Sequence, residues 1–260
     1  MIFSGKVISL EAIGRAHLLK PRSRNPGMAL LTRARRLLVR AGGALYARLA
    51  RPTPEERRHQ AAVHRRWEAA YRATPASLLP WEREGPEPEL VRVVRARRLP
   101  RGSAVLDVAC GQGRDAVWLA SQGYRATGLD ISETALARAR ERARAAGVRA
   151  RFVRGNAWRL YFRPGSFSLV NDRGGFHHIP EDHRREYVEG LARVLRPRGL
   201  LLVQAFSARN PWRGNTFTRA ELVGHFAPRF EALEGREVLH REAVTREPVY
   251  LWSVLFRRRG

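Results

Sequence analysis

Residues Ser103–Asp130, SAVLDVACGQGRDAVWLASQGYRATGLD, decide the fold of this chain. Val105, Leu106 and Val108 are strand formers bounded on both sides by turn signals, as in a short buried strand. The strand runs into Cys110-Gly111-Gln112-Gly113. Glycine there lets the backbone bend sharply and lets a ligand approach without meeting a Cβ. A helix-like segment starts near Gly113, and its first N–H groups face the turn, where a carboxylate or phosphate is favoured. A second apolar run ends in Asp130, at the spacing where an acid accepts hydrogen bonds from ribose hydroxyls. Strand, glycine turn, helix, strand and acid in that order hold an adenosine-containing molecule at the edge of a parallel sheet.

Working outward, the pattern alternates. Strand candidates lie at 103–109, 125–130, 149–154, 167–171, 199–206, 230–240 and 249–257, and helix candidates at 113–122, 132–146, 181–195 and 218–227. Ser132 is an N-cap and Gly147 a stop for the second of these helices. The pattern predicts an α/β fold with a doubly wound, mostly parallel seven-stranded sheet. The last two strands have no helix between them and should form an antiparallel C-terminal hairpin. Upstream, Thr53-Pro54-Glu55-Glu56 starts a helix running to Arg72. A proline-rich loop, Thr74–Pro88, and a helix near Glu89–Arg98 lead into the sheet.

Two cofactor classes suit the glycine turn. A dinucleotide binder shows G-x-G-x-x-G, and Ala116 at the third position is tolerated. Asp107, however, stands just before the turn, where its carboxylate repels a diphosphate and attracts the sulfonium and ammonium of S-adenosylmethionine. The alternative role for Asp107 is to cap local backbone groups. The stretch D-V-A-C-G-x-G-x-D (107–115), followed by G-L-D-I-S (128–132), resembles the first two motifs of class I S-adenosylmethionine-dependent methyltransferases. V-L-R-P-R-G-L-L (194–201) is similar to that family's passage into its fifth strand, and the resemblance covers roughly Pro80 to the C-terminus. It implies a Rossmann-like core over 99–260 and a helical lid or cap over 53–98, together one domain at 53–260. It implies S-adenosyl-L-methionine as cofactor. Asp107, Ala109, Gly111 and Gly113 would hold the methionyl end, Asp130 and Ile131 the ribose, and Asn156 and Ala157 the adenine. Asp172, ending the fourth strand, would complete the site.

Ligands in such sheets bind outside the carboxyl ends of the strands. Asp172-Arg173-Gly174-Gly175-Phe176-His177-His178 follows the fourth strand and should border the transferred methyl group. His177 and His178, with Asp172, are the candidate catalytic groups, since imidazole titrates near neutral pH. Adjacent side chains on one loop rarely face the same point, so at most one histidine should line the pocket. The competing role is one histidine bonded within the loop and one on the surface. His177, His178 and His183 do not have a usual metal-ligand spacing. Asp172-Arg173-Gly174, with Asp182-x-Arg184-x-x-Tyr187, is similar to the corresponding stretch of thiopurine methyltransferases. Trp67, Tyr71 and Pro80-Trp81-Glu82 resemble the N-terminal lid of the thiopurine and tellurite-resistance group. This assigns Trp81, Arg173 and Phe176 to the lid and substrate side. It implies in-line methyl transfer to a small-molecule acceptor, with the enzyme supplying alignment and water exclusion.

The chain has 260 residues and a net charge of +25, carried by 49 basic residues of which only Lys6 and Lys20 are lysine. The arginines are spread through the helices, which favours a solvated arginine-rich surface. The rival reading of that charge is an RNA or DNA methyltransferase. Against it, no N-P-P-Y or D-P-P-Y/W motif follows the fourth strand. A non-catalytic module that kept the cofactor fold is a second rival. Cys110 is the sole cysteine, which excludes an internal disulfide and a cysteine-based zinc cluster. No apolar run reaches the ~20 residues of a membrane span, and no secretory h-region is evident, so a cytoplasmic location is expected.

Residues 1–52 read as a basic, partly helical extension with no acid between Glu11 and Glu55. Met28–Ala50 interleaves leucines with arginines as a basic amphipathic helix. It has three readings: peripheral contact with a membrane surface, a transit peptide, or packing on the enzyme core, which is favoured. Met28 is also a candidate start of the native chain.

Overall fold

A computed structural model describes residues 54–211 and 215–260. The expected extension over 1–52, its amphipathic helix and the Thr53 cap lie outside the described residues.

Seven strands form one sheet in the order β3-β2-β1-β4-β5-β7-β6. Their ranges are β1 Ala104–Val108, β2 Arg125–Asp130, β3 Arg151–Arg154, β4 Phe167–Arg173, β5 Leu195–Phe206, β6 Phe230–Arg241 and β7 Pro248–Arg258. The helices are α1 Pro54–Ala73, α2 Pro88–Ala96, α3 Arg114–Ser121, α4 Glu133–Ala145, α5 Glu181–Val194 and α6 Arg219–Phe226. Strands β1 to β5 pair in parallel, while β7 pairs antiparallel with both β5 and β6. This is the doubly wound sheet with a C-terminal hairpin that the sequence pattern predicts.

The side-chain alternation of the strands explains the layers. Val105, Leu169, Leu202 and Leu255 point to one face and meet Leu90, Val93 and Val94 of α2 and Leu119 of α3. Leu106, Val108, Val170, Leu201, Val203, Val254 and Phe256 point to the other, against Tyr187, Val188 and Leu191 of α5 and Leu222 and Phe226 of α6. Strand β5 begins at Leu195 rather than 199, because Leu195 already pairs with Phe167 before a bulge restores register at Leu169–Leu200. Among the described residues no helix is long and apolar enough to cross a membrane.

Strand order reverses between β1 and β4, so the crevice expected of such sheets opens beyond Val108 and Asp172. The α1 helix packs on α4 and roofs that crevice from one side. The long β6–β7 hairpin reaches it from the other: the Ala243 N–H donates to the Pro80 carbonyl at 3.1 Å.

Candidate functional site

The turn after β1 is shaped by three alternate positions of positive φ: Ala109 at 53°, Gly111 at 52° and Gly113 at 74°. The end of β2 braces it. Asp130 Oδ2 accepts from the Gly111 N–H at 2.8 Å, and Oδ1 accepts from the Ser132 N–H at 2.9 Å. Burial raises the Asp130 pKa, and the N–H groups of Ser132 and Gly111 oppose that shift. Each oxygen keeps a lone pair for a ligand hydroxyl. The two glycines have different duties. A Cβ on Gly111 would lie 2.6 Å from Tyr71 Oη, so glycine is what lets the lid approach. A Cβ on Gly113 would meet Ala139 Cβ at 2.7 Å and Phe152 Cε1 at 2.9 Å. Gly113 thus serves the packing of α3 on α4 and β3, and it lines neither cavity.

Asp107 sits inside β1 with Asn171 Nδ2 donating to Oδ1 at 2.8 Å. Burial, reinforced by the charge of Asp115, pushes its carboxyl up to about 8. With Ala109 and Gly111 it borders a small cavity beneath Tyr71 and Trp81. A cationic group placed there would restore the ionised form.

Asp130, Ile131, Asn156 and Ala157 come together on one wall of the main cavity, beside Leu129 and Trp158. Asn156 Oδ1 accepts from the Trp158 N–H at 3.2 Å, while its Nδ2 is buried with no protein partner. A buried amide donor without a partner, on a cavity wall, fits a ring nitrogen acceptor such as adenine provides.

Of the segment expected as a lid, α1 and the following loop wall the cavity through Val63, Trp67, Tyr71, Pro80 and Trp81. Trp81 meets Trp67 and Tyr71 edge-to-face, with centroids 5.7 and 5.8 Å apart. Glu68 of α1 accepts from Ser132 Oγ at 2.8 Å and Thr134 Oγ1 at 2.6 Å, at the N-terminus of α4. Burial opposes its ionisation, yet these hydroxyls and Arg72 hold it at about 2. Glu82 accepts from Gln112 Nε2 at 2.7 Å and Arg142 Nη2 at 2.8 Å, tying the lid to the glycine turn. Arg173 donates through Nε to Glu87 at 2.8 Å and through Nη1 to the Trp81 carbonyl at 3.2 Å. Glu87 is 1% exposed. Burial pushes it up, but Arg173, His240, Arg83 and Arg114 outweigh this and bring it to about 2.

The loop after β4 departs from expectation. Asp172 is fully buried and does not line the cavity. Its Oδ1 accepts from the Gly175 N–H at 2.6 Å and its Oδ2 from Tyr187 Oη at 2.5 Å. Burial lifts its pKa to about 6 against these donors. Its place is inside the turn, holding the turn to α5. Phe176 is also buried, between Tyr187, Phe217 and Phe226. Both histidines, not one, reach the cavity. The reason is the 3-10 turn Phe176–His178, which turns Phe176 into the core and leaves the next two rings toward the crevice. His177 stacks on Phe206 at 3.7 Å, and its Nδ1 accepts from the Phe206 N–H at 3.2 Å. His178 lies edge-on to Trp67 at 4.8 Å.

Phe206, His240, Glu242, Val249 and Leu251 also line the cavity, and sequence reading missed them. They sit on β5, β6, β7 and the hairpin tip. Their one sequence signal was the long final strand pair, which does not say what its tip covers.

Comparison with known proteins agrees with this geometry. Residues 105–199 match the family described as a methyltransferase domain. An uncharacterized methyltransferase of Schizosaccharomyces pombe is 32% identical over 116 residues, covering 43% of this chain and 80% of that protein. One from Synechocystis is 33% identical over 43% of this chain, which spans half of that relative's length. The 2-heptyl-1-hydroxyquinolin-4(1H)-one methyltransferase of Mycobacteroides abscessus is 28% identical over 54% of this chain and 63% of its own. A solved structure from work on conversion of a disulfide bond into a thioacetal group during echinomycin biosynthesis superposes with a TM-score of 0.67. It has 29% identity over 76% of this chain and 93% of that one. Glycine turn, ribose-spaced acid, sheet order and relatives converge: the chain belongs to the class I S-adenosylmethionine-dependent methyltransferase family.

Proposed function

We propose that the protein transfers the methyl group of S-adenosylmethionine to a small-molecule acceptor bearing a sulfur, nitrogen or similar nucleophile, by in-line displacement. The observation that carries this reading is the main cavity itself. One end presents Asp130 and the unpartnered Asn156 amide, and the other is walled by Trp67, Trp81, Phe206, Val249 and Leu251 under a lid. The cofactor supplies an already activated methyl group on a positively charged sulfur. Asp130 would hold the ribose hydroxyls, Asn156 and Ala157 the adenine, and Asp107 with the Gly111 turn the methionyl end. The chain's own contribution is then approach, alignment and exclusion of water. One relative, by its name, methylates 2-heptyl-1-hydroxyquinolin-4(1H)-one, which supports a small-molecule acceptor. Arg92, Arg140, Arg229 and Arg257 pair with acids of this chain, so these four arginines serve the fold.

Calorimetry with S-adenosylmethionine and with NAD tests the cofactor. A screen of thiols, thiopurines, halides, metalloid oxyanions and small amines tests the acceptor. Uptake of NAD with no response to S-adenosylmethionine would refute the proposal.

A further inference from the structure

The acceptor half of the cavity has few polar groups, and most are committed. His177 Nδ1 accepts from the Phe206 N–H at 3.2 Å. His240 Nδ1 accepts from the Arg83 guanidinium at 2.9 Å. Each imidazole therefore carries its proton on Nε2 and has no lone pair left for a substrate proton. Burial, against the pull of Glu87, also pushes His240 down to about 4. Arg173 is held by Glu87 and the Trp81 carbonyl.

Glu242 stands apart from these. It is 7% exposed and lines the cavity. It sits beside the clasp between Ala243 and Pro80, so its backbone is fixed to the lid. Thr245 Oγ1 donates to Oε2 at 2.6 Å, and Oε1 takes no hydrogen bond from the described residues. No cationic side chain among the described residues pairs with it, whereas Glu68, Glu82, Glu87, Glu89, Glu231 and Glu234 each have an arginine. Among the described glutamates buried to this degree, Glu68, Glu87 and Glu89 are each paired with an arginine and Glu242 is not. On a cavity wall faced with aromatic rings it is an acceptor awaiting a donor.

We propose that Glu242 receives the N–H or O–H of a flat aromatic acceptor and takes its proton during methyl transfer, a role that rests on the methyl-transfer reading above. Trp67, Trp81 and Phe206 would hold the ring, and Oε1 would fix which heteroatom faces the methyl group. The acceptor's heteroatom forms the new bond to the methyl carbon. The sulfur keeps the electron pair of the broken C–S bond and becomes a neutral thioether. The acceptor's proton passes to Glu242 and from there to solvent.

The test uses the full chain and the variants Glu242→Gln and Glu242→Ala. S-adenosylhomocysteine affinity by calorimetry is read first and reports the cofactor assignment by itself. The loaded proteins are then titrated with 4-hydroxyquinoline and with 4-methoxyquinoline, which lacks the donor, by quenching of tryptophan fluorescence. The expected result is S-adenosylhomocysteine affinity unchanged in all three proteins and 4-hydroxyquinoline weakened about tenfold in the alanine variant, roughly the scale of one hydrogen bond to a charged group. The glutamine variant, which keeps a neutral oxygen, should fall between, and the ether should bind all three alike. Equal weakening of both probes, weakening of neither, or failure of loaded wild-type protein to bind 4-hydroxyquinoline overturns the role of Glu242. None of these results touches the cofactor assignment, which stands or falls on the first titration.

Discussion

The two ends of the cavity are built differently. The end proposed for the cofactor rests on a local backbone turn: the Gly111 and Ser132 N–H groups close on Asp130, within twenty-odd residues of chain. The end proposed for the acceptor is made of side chains from distant elements, with Arg173, His240, Gln204 and Arg83 converging on Glu87. Backbone turns hold one shape across many sequences, whereas a side-chain network must be rewritten whole. A single substitution should therefore disturb the second end more than the first.

The comparison breaks most visibly at Glu87. Replacing it by leucine leaves Arg173 and its neighbours without their buried countercharge, a change that typically costs about 3–5 kcal/mol. Denaturant unfolding of Glu87→Leu should show that loss, and a variant as stable as wild type would mean the network does not hold the lid. The same carboxyl sets an acid limit. Its folded pKa of about 2 lies below the unfolded value, so its contribution is present above pH ~4.3 and is lost as pH falls toward 2. At the other end, Asp130→Ala leaves the buried Gly111 and Ser132 N–H groups without their acceptor, a cost of about 1–3 kcal/mol, and should weaken S-adenosylmethionine binding by about 1.5–3 kcal/mol, the scale of hydrogen bonds to a charged group. Unchanged affinity in a folded variant would remove the ribose assignment.

This contrast also governs what could be read from the sequence. The sheet, the glycine turn and the Asp130 position were legible because they are local: strand length, φ-positive glycines and spacing are written in consecutive residues. Gly113 shows the limit even there, since its glycine serves Ala139 and Phe152 rather than the crevice. Asp172 and Phe176 were placed in the right loop but on the wrong side of it. Asp172 ends β4 with its carboxylate held inside by the Gly175 N–H and Tyr187 Oη, and a 3-10 turn, which pattern reading does not resolve, rotates Phe176 inward. The acceptor wall was not legible. Phe206, His240 and Glu242 reach the cavity through antiparallel pairing of β6 and β7, whose register depends on contacts far apart in the chain.

Asp107 sharpens the comparison through pH. Its carboxyl, raised to about 8, is protonated in the free protein at neutral pH. The ammonium of the cofactor's methionyl end would favour the ionised form, so binding should release a proton. Affinity should then fall as pH drops below 8, by up to about tenfold per unit, the limit for one linked proton. Calorimetry in two buffers of different ionisation enthalpy reads the proton directly. Asp107→Asn should abolish both the release and the slope, and a slope that survives in the variant assigns it to another group.

The smallest effect is expected between the two ends, at Tyr187. Its hydroxyl is the one side-chain donor to Asp172 among the described residues, alongside the Gly175 and Phe176 N–H groups. Removing it in Tyr187→Phe leaves a buried carboxylate one donor short, nominally about 1–3 kcal/mol. Asp172 has a way out that Glu87 lacks. Its folded pKa, about 6, is above the unfolded value, so burial of the charged form destabilises the fold above that pKa, and the penalty disappears as pH falls toward ~3.9. Losing the Tyr187 donor should raise that pKa further. The variant should therefore lie about 1–2 kcal/mol below wild type at pH 8, with the gap closing near pH 5, where both proteins hold Asp172 protonated. Urea unfolding at the two pH values measures this. A gap that does not change with pH would assign the cost to lost packing around Phe176 rather than to the carboxylate.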